Sequence, residues 1–274
     1  MTDQIPTAPP ATAPAASAPA VRHQGGAAAP ASRTLPEETA VAIVHDAVTY
    51  AVMMATPQDL QDLAIGFSLT EGVIASSDEI RSMEFAATDL GVEARLWLAP
   101  GRAADLARRR LIAGPTGCGL CGVESLEQAA HFASRPLATI APLRAAAIHE
   151  AMAALEAAQV LGRETRAVHA AGLWRPGQGL VAVREDVGRH NAVDKLAGAL
   201  ARAGEAADGV LVLTSRISVE LVQKAAAMGA PVIAAVSAPT LLAVRTAEAA
   251  GVTLAGVVRP DAFEVFTHPG RIIP

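Results

Sequence analysis

The stretch from Gly209 to Arg259, GVLVLTSRISVELVQKAAAMGAPVIAAVSAPTLLAVRTAEAAGVTLAGVVR, decides the fold. GVLVLTS, APVIAAVS and VTLAGVVR are short β-branched apolar runs. SVELVQKAAAMG and PTLLAVRTAEAAG between them carry helical periodicity and stop at Gly229 and Gly251, where a helix C-terminus favours glycine. Strands that alternate with helices build an α/β layer structure with a largely parallel sheet. Such strands read as continuous apolar runs because helices cover both faces. Ligands in open sheets of this kind sit beyond the carboxyl ends of the strands. Thr214-Ser215-Arg216 and Ser237-Ala238-Pro239-Thr240 occupy that position, each after a strand and before a helix.

Upstream, the same rhythm begins with an Ala-rich helix, APLRAAAIHEAMAALEAAQVL. Two strands follow, TRAVHAAGLW and GLVAVRED, split by the turn RPGQG. GRHNAVDKLAGALARAG then reads as a helix with Ala192, Leu196, Ala199 and Leu200 facing inward. Residues 141–274 therefore form one α/β domain. Residues 34–113 read differently, as an α+β subdomain. AVAIVHDAVTYAVMM predicts two strands about a turn near His45-Asp46-Ala47. TPQDLQDLAIGFSLTEGVI predicts a helix with Thr56 as N-cap, Pro57 in its first position and Asp59 and Asp62 at its positive end. Leu60, Leu63, Ala64 and Phe67 share its inner face. MEFAATDLGVEARLWLA predicts a hairpin turning at Gly91. Residues 1–33 are mostly Ala, Pro, Ser, Thr and Gly, too little side chain to offset ordering entropy, and read as a disordered tail that includes His23.

Bulk properties narrow the function. The chain has 274 residues, is 51% hydrophobic and carries a net charge of -5. That charge argues against a nonspecific nucleic-acid coat. Aromatics at 3% argue against a stacking platform for single strands. No uninterrupted apolar run reaches the length of a membrane span. The first residues lack the basic and apolar regions of a secretory signal, so a cytoplasmic location is expected.

Both cysteines, Cys118 and Cys121, fall in GPTGCGLCGVESLEQAAHF, residues 114–132. Glycines at 114, 117, 119 and 122 leave the thiols little cover, and VESLEQAAHFA behind them reads as a helix, so residues 114–140 form a cysteine loop with its following helix. A thiol near a helix N-terminus has its pKa lowered. Three chemistries fit. A structural zinc wants four ligands and C-x-x-C gives two, with His131, His149, His169 and His190 nominally available. The zinc deaminases place H-x-E before their cysteines; here the cysteines come first and His169 is followed by Ala170-Ala171. A thioredoxin-type couple lacks the preceding βαβ pattern. A persulfide carrier needs one nucleophile on a pliable loop, and the second thiol must then be held apart or used as a relay. Spacing alone leaves all three open.

Seven ordered motifs carry a resemblance: LPEETAVAIVHD, DLAIGFSLTEGVI, GPTGCGLCGVESL, REDVGRHNAVDKL, SRISVELVQKAA, APVIAAVSAPTLLAV and FEVFTHPGRI. From Leu35 to the C-terminus the chain resembles the formate dehydrogenase accessory sulfurtransferases, the FdhD family. The resemblance implies a sulfurtransferase that accepts sulfur from a cysteine desulfurase as a persulfide. It implies delivery to the molybdenum of a bis-molybdopterin guanine dinucleotide cofactor, bound as substrate, before that cofactor enters formate dehydrogenase. It implies no intrinsic metal and a homodimer. The carrier role falls on Cys118, with Cys121 at the second motif position. The cofactor, with its guanine nucleotide moiety, is an implied partner, and the segment that binds it falls on Val257, Val258, Arg259, Pro260, Asp261 and Ala262; family members often carry an aromatic where Val257 stands. The second half is similar in fold to cytidine deaminases. Arg216 and Arg259 are expected as charged anchors for phosphates, since arginines and helix N-termini hold such groups. A cofactor chaperone without catalysis is the rival from another class.

Other polar residues have plainer readings. His190 is expected to hydrogen-bond within its helix start, and His169 to be a satisfied core histidine. His268 is divided between packing and ligand contact. Glu185 and Asp186 are expected to serve a helix N-terminus rather than act as an acid/base pair. Met53 and Met54 are expected as core filling. The run Arg108-Arg109-Arg110 is expected on a solvated helix face, with an anion-attracting patch as the functional alternative.

Overall fold

The computed structural model describes residues 12–100 and 135–274. Two strands, β1 (Ala15–Gln24) and β2 (Ala27–Pro36), pair antiparallel as a hairpin. This corrects the expectation of a disordered tail through residue 33. The signal is Gly25-Gly26, both at positive φ, which is the glycine-rich two-residue turn that matches strand twist. Gln24 pairs with Ala27 across that turn, so the alternation of bonded pairs leaves the nitrogens of Pro19 and Pro30 facing away from the partner strand. Proline costs no ladder bond there, and it blunts each outer edge against further strand addition. Arg33 anchors the hairpin by donating to the Thr165 carbonyl, 3.2 Å.

The next unit is the expected α+β arrangement. Strands β3 (Thr39–His45), β4 (Val48–Ala55), β5 (Ile80–Thr88) and β6 (Gly91–Leu98) form a sheet ordered β4-β3-β6-β5. The β3–β4 turn is Asp46-Ala47, both at positive φ, as the sequence places it. Gly91 opens β6, so Asp89 and Leu90 make the other turn. Met53 is buried, whereas Met54 on the same edge strand is 49% exposed and is not core filling.

Helix α1 (Leu60–Thr70) packs on this sheet through Leu63 and Phe67 against Val41, Ile43 and Leu96. Thr56 is not its cap. Asp59 holds that position in the left-handed region, without a side-chain bond, and Thr56 is drawn into the interface described below.

The second unit comprises β7 (Leu143–Arg144), α2 (Ala145–Ala158), α3 (Leu161–Thr165), β8 (His169–Arg175), β9 (Gly179–Asp186), α4 (Arg189–Ala203), β10 (Val210–Leu213), α5 (Val219–Met228), β11 (Val232–Ala235), α6 (Leu241–Ala250), β12 (Thr253–Gly256), β13 (Glu264–Val265) and β14 (Ile272–Ile273). Its main sheet is ordered β13-β12-β11-β10-β8-β9. The β10–β11 and β11–β12 pairs are parallel, and the other three pairs are antiparallel. The sheet is therefore mixed rather than largely parallel. The short turn after Arg175 permits only a hairpin, which forces β8 and β9 antiparallel. Leu211, Leu213, Ile233 and Leu254 pack with residues of α4, α5 and α6 on one face; Val210, Val212, Val232 and Ala234 pack with α2 residues such as Ile148 and Leu155 on the other.

Helix α4 is buried well beyond the predicted stripe: Asn191 through Gly198 and Leu200 are all inside, while Ala199 is only half-buried. The cause is α1, which covers the face turned away from the mixed sheet. The two helices touch backbone to backbone. A Cβ on Gly66 would stand 1.7 Å from the Asp194 carbonyl oxygen, and one on Gly198 would stand 2.0 Å from that of Asp62.

Candidate functional site

Strand direction gathers four connections at one edge. Because β8 runs antiparallel to both β9 and β10, the carboxyl end of β9 lies with those of β10, β11 and β12. From this edge start α4, α5 and α6, so three helix N-termini open on it. Each contributes partial positive charge and unbonded N–H groups.

Three of these four connections interlock. Residues 214–218 and 236–240 meet in a parallel bridge between Ile217 and Pro239. Thr240 N–H donates to Ile217, 3.0 Å, and its hydroxyl accepts from Ala243 as a true N-cap, 3.2 Å. Val257 N–H donates to Ser237, 3.3 Å, and Val258 N–H to Ala235, 3.0 Å. Val257 sits at φ 54, a left-handed conformation that a β-branched residue rarely adopts. Strain of that kind persists where surrounding structure enforces it, and here the loop after β11 holds Val257 while the end of β11 holds Val258. Val258 is buried; Arg259, Pro260, Asp261 and Ala262 are exposed, closed into a turn by Arg259 N–H donating to Ala262, 2.8 Å.

The two anchor arginines differ. Arg259 Nη1 donates to the carbonyls of Val236, 2.6 Å, and Val258, 2.8 Å, so it braces two loops with part of its guanidinium engaged. Arg216 is exposed on the loop between β10 and α5. Thr214 and Ser215 are engaged locally: the Thr214 hydroxyl accepts from Ala170 N–H, 2.8 Å, and Ser215 donates to the Arg216 carbonyl, 3.1 Å.

The REDVGRHN motif is mainly structural. Glu185 accepts from the N–H groups of Val160, Leu161 and Gly162 at 2.9, 2.9 and 2.7 Å, holding the start of α3. Asp186 accepts from Gly188 N–H, 2.7 Å, and Asn191 Nδ2, 3.0 Å, at the start of α4. Both acids thus serve helix starts, as expected, though Glu185 serves a different helix from its neighbour. Asp186 also accepts from Thr56 N–H, 3.0 Å, and pairs with Lys195 at 2.6 Å, both side chains fully buried. Lys195 donates in turn to the Thr56 carbonyl, 2.9 Å. A second buried cation, Lys224, donates to Asp194, 2.8 Å, Glu71, 2.9 Å, and Thr70, 3.1 Å. Asp62 receives Arg184 and Arg202, each at 2.7 Å. These three clusters tie the first unit to the second. Periodicity misses them because a charged residue at an inward position reads as a break in the stripe.

The histidines separate by environment. His190, first turn of α4, lies 3.5 Å from the Ser218 hydroxyl and 3.9 Å from Glu220. Burial, with Arg189 and Lys224 nearby, lowers its pKa to about 4, so it is neutral at pH 7. His169 opens β8, half-buried rather than in the core, and burial and then Arg189 lower its pKa as well. His268 donates from Nε2 to the Glu248 carbonyl, 3.1 Å, a packing role. His149 sets its ring edge-on to Phe263, centroids 5.2 Å apart.

Cys118, Cys121, His131 and Arg108-Arg109-Arg110 lie outside the described residues. Among the described residues no helix is long and apolar enough to cross a membrane.

Fold and edge together define the class: a mixed α/β protein whose strand ends and helix starts frame one polar margin. The chain belongs to the FdhD/NarQ family, whose sequence pattern matches residues 36–273. It is 51% identical over 250 residues to the sulfur carrier protein FdhD of Agrobacterium fabrum, covering 90% of this chain and 92% of that one. It is 50% identical over 244 residues to that of Brucella abortus, with 88% and 91% covered. A crystal structure described as a formate dehydrogenase accessory protein from Desulfotalea psychrophila superposes with a TM-score of 0.73 at 27% identity, over 94% of this chain and 99% of that one.

Proposed function

We propose that this chain is a sulfur carrier for formate dehydrogenase maturation. Cys118 takes sulfur from a cysteine desulfurase as a persulfide. It presents that sulfur to the molybdenum of a bis-molybdopterin guanine dinucleotide cofactor, the bound substrate. The observation that carries the cofactor half is the margin at the carboxyl ends of β9–β12. Three helix N-termini and exposed Arg216 frame that margin, which suits a ligand rich in phosphates. Val257 to Ala262 close one end of it as the cofactor-binding segment, held in shape by Arg259. The sulfur half is supported by the relatives' names and by the glycine-framed C-x-x-C. A soft sulfane donor also suits delivery to molybdenum.

A homodimer, a cytoplasmic setting and a deaminase-like second unit belong to the same reading. The helix-flanked sheet with one antiparallel hairpin supports the last of these.

The test is intact-mass spectrometry after incubation with a cysteine desulfurase and cysteine. An adduct of one sulfur atom that maps to Cys118 and disappears in Cys118→Ala is the expected result. If Cys118→Ala still yields active formate dehydrogenase while binding the cofactor, a sheltering chaperone replaces the carrier.

A further inference from the structure

The hairpin β1–β2 takes no part in the strand-end margin, and its two halves differ. The half near its base is tied down: Ala18, Ala31 and Thr34 are half-buried, and Arg33 reaches the Thr165 carbonyl. In the distal half all twelve residues from Pro19 to Pro30 are exposed, Val21 at 63%. Successive side chains of a strand point to opposite faces, so neither face of the distal half rests on the described residues. The six residues from Pro19 to Gln24 carry the ribbon about 20 Å beyond its anchorage.

A two-stranded hairpin with both faces in water is marginal at best. The Ala, Pro and Gly that fill this one are weak strand formers as well. The ribbon therefore calls for a surface that covers it. Pro19 and Pro30 close its outer edges to a further strand, so that surface meets a face rather than an edge. Val21 and Pro30 stand directly opposite each other and form the apolar centre of one face, with Pro19 and Ala28 beside them. Arg22 starts on the other face, and its long stem can carry its charge round to the rim.

Charge selects the partner. Arg22 and Arg33 are the only charged residues between Ala15 and Pro36, so the hairpin carries +2 and the rest of this chain of net -5 carries -7. A second copy of the chain is thus complementary to the arm. The size also fits a dimer, because a two-fold axis uses each contact twice. Twelve arm residues and an equal footprint put about 24 residues on each side, within the roughly 20–30 of a standard stable interface.

We propose that the distal half of the hairpin is an arm that lies across a second copy of this chain. The Val21–Pro30 face turns inward and Arg22 meets the acidic rim. The inference rests on the homodimer reading above and supplies that dimer with a contact.

Sedimentation velocity of the full-length protein over a dilution series tests it, with hydrogen exchange of residues 19–30 read on the same samples. The native protein is expected to be a dimer whose arm amides lose protection as dilution yields monomer. Val21→Asp sets an unpaired charge at the centre of the contact and is expected to weaken dimerisation by roughly ten-fold or more. Position 21 is exposed in the single chain, so the substitution leaves the core of each copy intact. Arg22→Glu is expected to weaken the dimer most at low salt, and Arg22→Lys to keep most of its strength. A native dimer that neither Val21→Asp nor Arg22→Glu weakens overturns the arm and leaves the homodimer reading in place. A native protein that is monomeric at every concentration overturns both. Arm amides that become protected only when formate dehydrogenase is added give the arm to that recipient and also overturn the proposal.

Discussion

His190 shows how one residue's surroundings set its behaviour. A histidine in the first turn of a helix meets the positive end of the macrodipole, and here burial, Arg189 and Lys224 act in the same direction. Its folded pKa of about 4 lies below the ordinary 6.5, so the neutral form is favoured in the fold. The stability it contributes is complete above pH 6.5 and is lost as pH falls from there through about 4. Asp194 has the opposite sign. Burial raises its pKa to about 6, so its own contribution is lost as pH rises from about 4 through 6. The difference between native and His190→Gln urea stability across this range isolates the histidine. Native stability should fall relative to the variant by on the order of 3 kcal/mol between pH 7 and pH 4. A flat difference would show that His190 is solvated. The residue scale is also where sequence reading was least informative. His190, Glu220 and Arg189 are near one another only because β9 and β10 point the same way, and no spacing in the chain records that.

At the scale of elements, α1 and α4 are the instructive pair. The apolar positions of α1 were legible, since Leu60, Leu63, Ala64 and Phe67 are all buried. That α1 is buried on its other side as well was not, because Gly66 and Ser68 carry no apolar signal. They lie inside because glycine at 66 and at 198 lets two backbones meet. Gly198→Ala should force the helices apart and destabilise the protein by about 3 kcal/mol or more, at the upper end of overpacking costs. Chemical denaturation reads it, and a loss under 1 kcal/mol would mean that the interface is compliant. The hairpin β1–β2 is the converse case. Its composition argued for disorder, while Gly25-Gly26 and the outward placement of Pro19 and Pro30 were compatible with pairing throughout. Composition averages over positions, whereas strand pairing depends on which positions lose a donor.

For the molecule as a whole, the layers run from the four-stranded sheet through α1 and α4 to the six-stranded sheet and α2, with buried charge at the seam. Lys195 and Asp186 are both fully buried and together hold Thr56 of the first unit. Lys195→Met leaves Asp186 without its cation and should cost about 3–5 kcal/mol, while Lys195→Met with Asp186→Asn should recover part of that. A double variant no better than the single would show that the pair does not act as a unit. Burial works against the Lys224 charge, yet Asp194 and Glu71 override it and raise its pKa, so the second tie keeps its charge at neutral pH.

The chain's own pattern determined the alternation of β and α from residue 141 onward, the α+β character of residues 34–100, the helix stops at Gly229 and Gly251, and the loops that frame the strand ends. Local periodicity and turn chemistry act over a few residues, so a single strand of text contains them. The antiparallel placement of β8 against β10, the backbone contact of α1 with α4, the lysines sealed at the seam and the approach of His190 to Glu220 were decided in three dimensions. Each depends on which surfaces come together after the chain has turned, and the free energy of those contacts is spread over partners far apart along it.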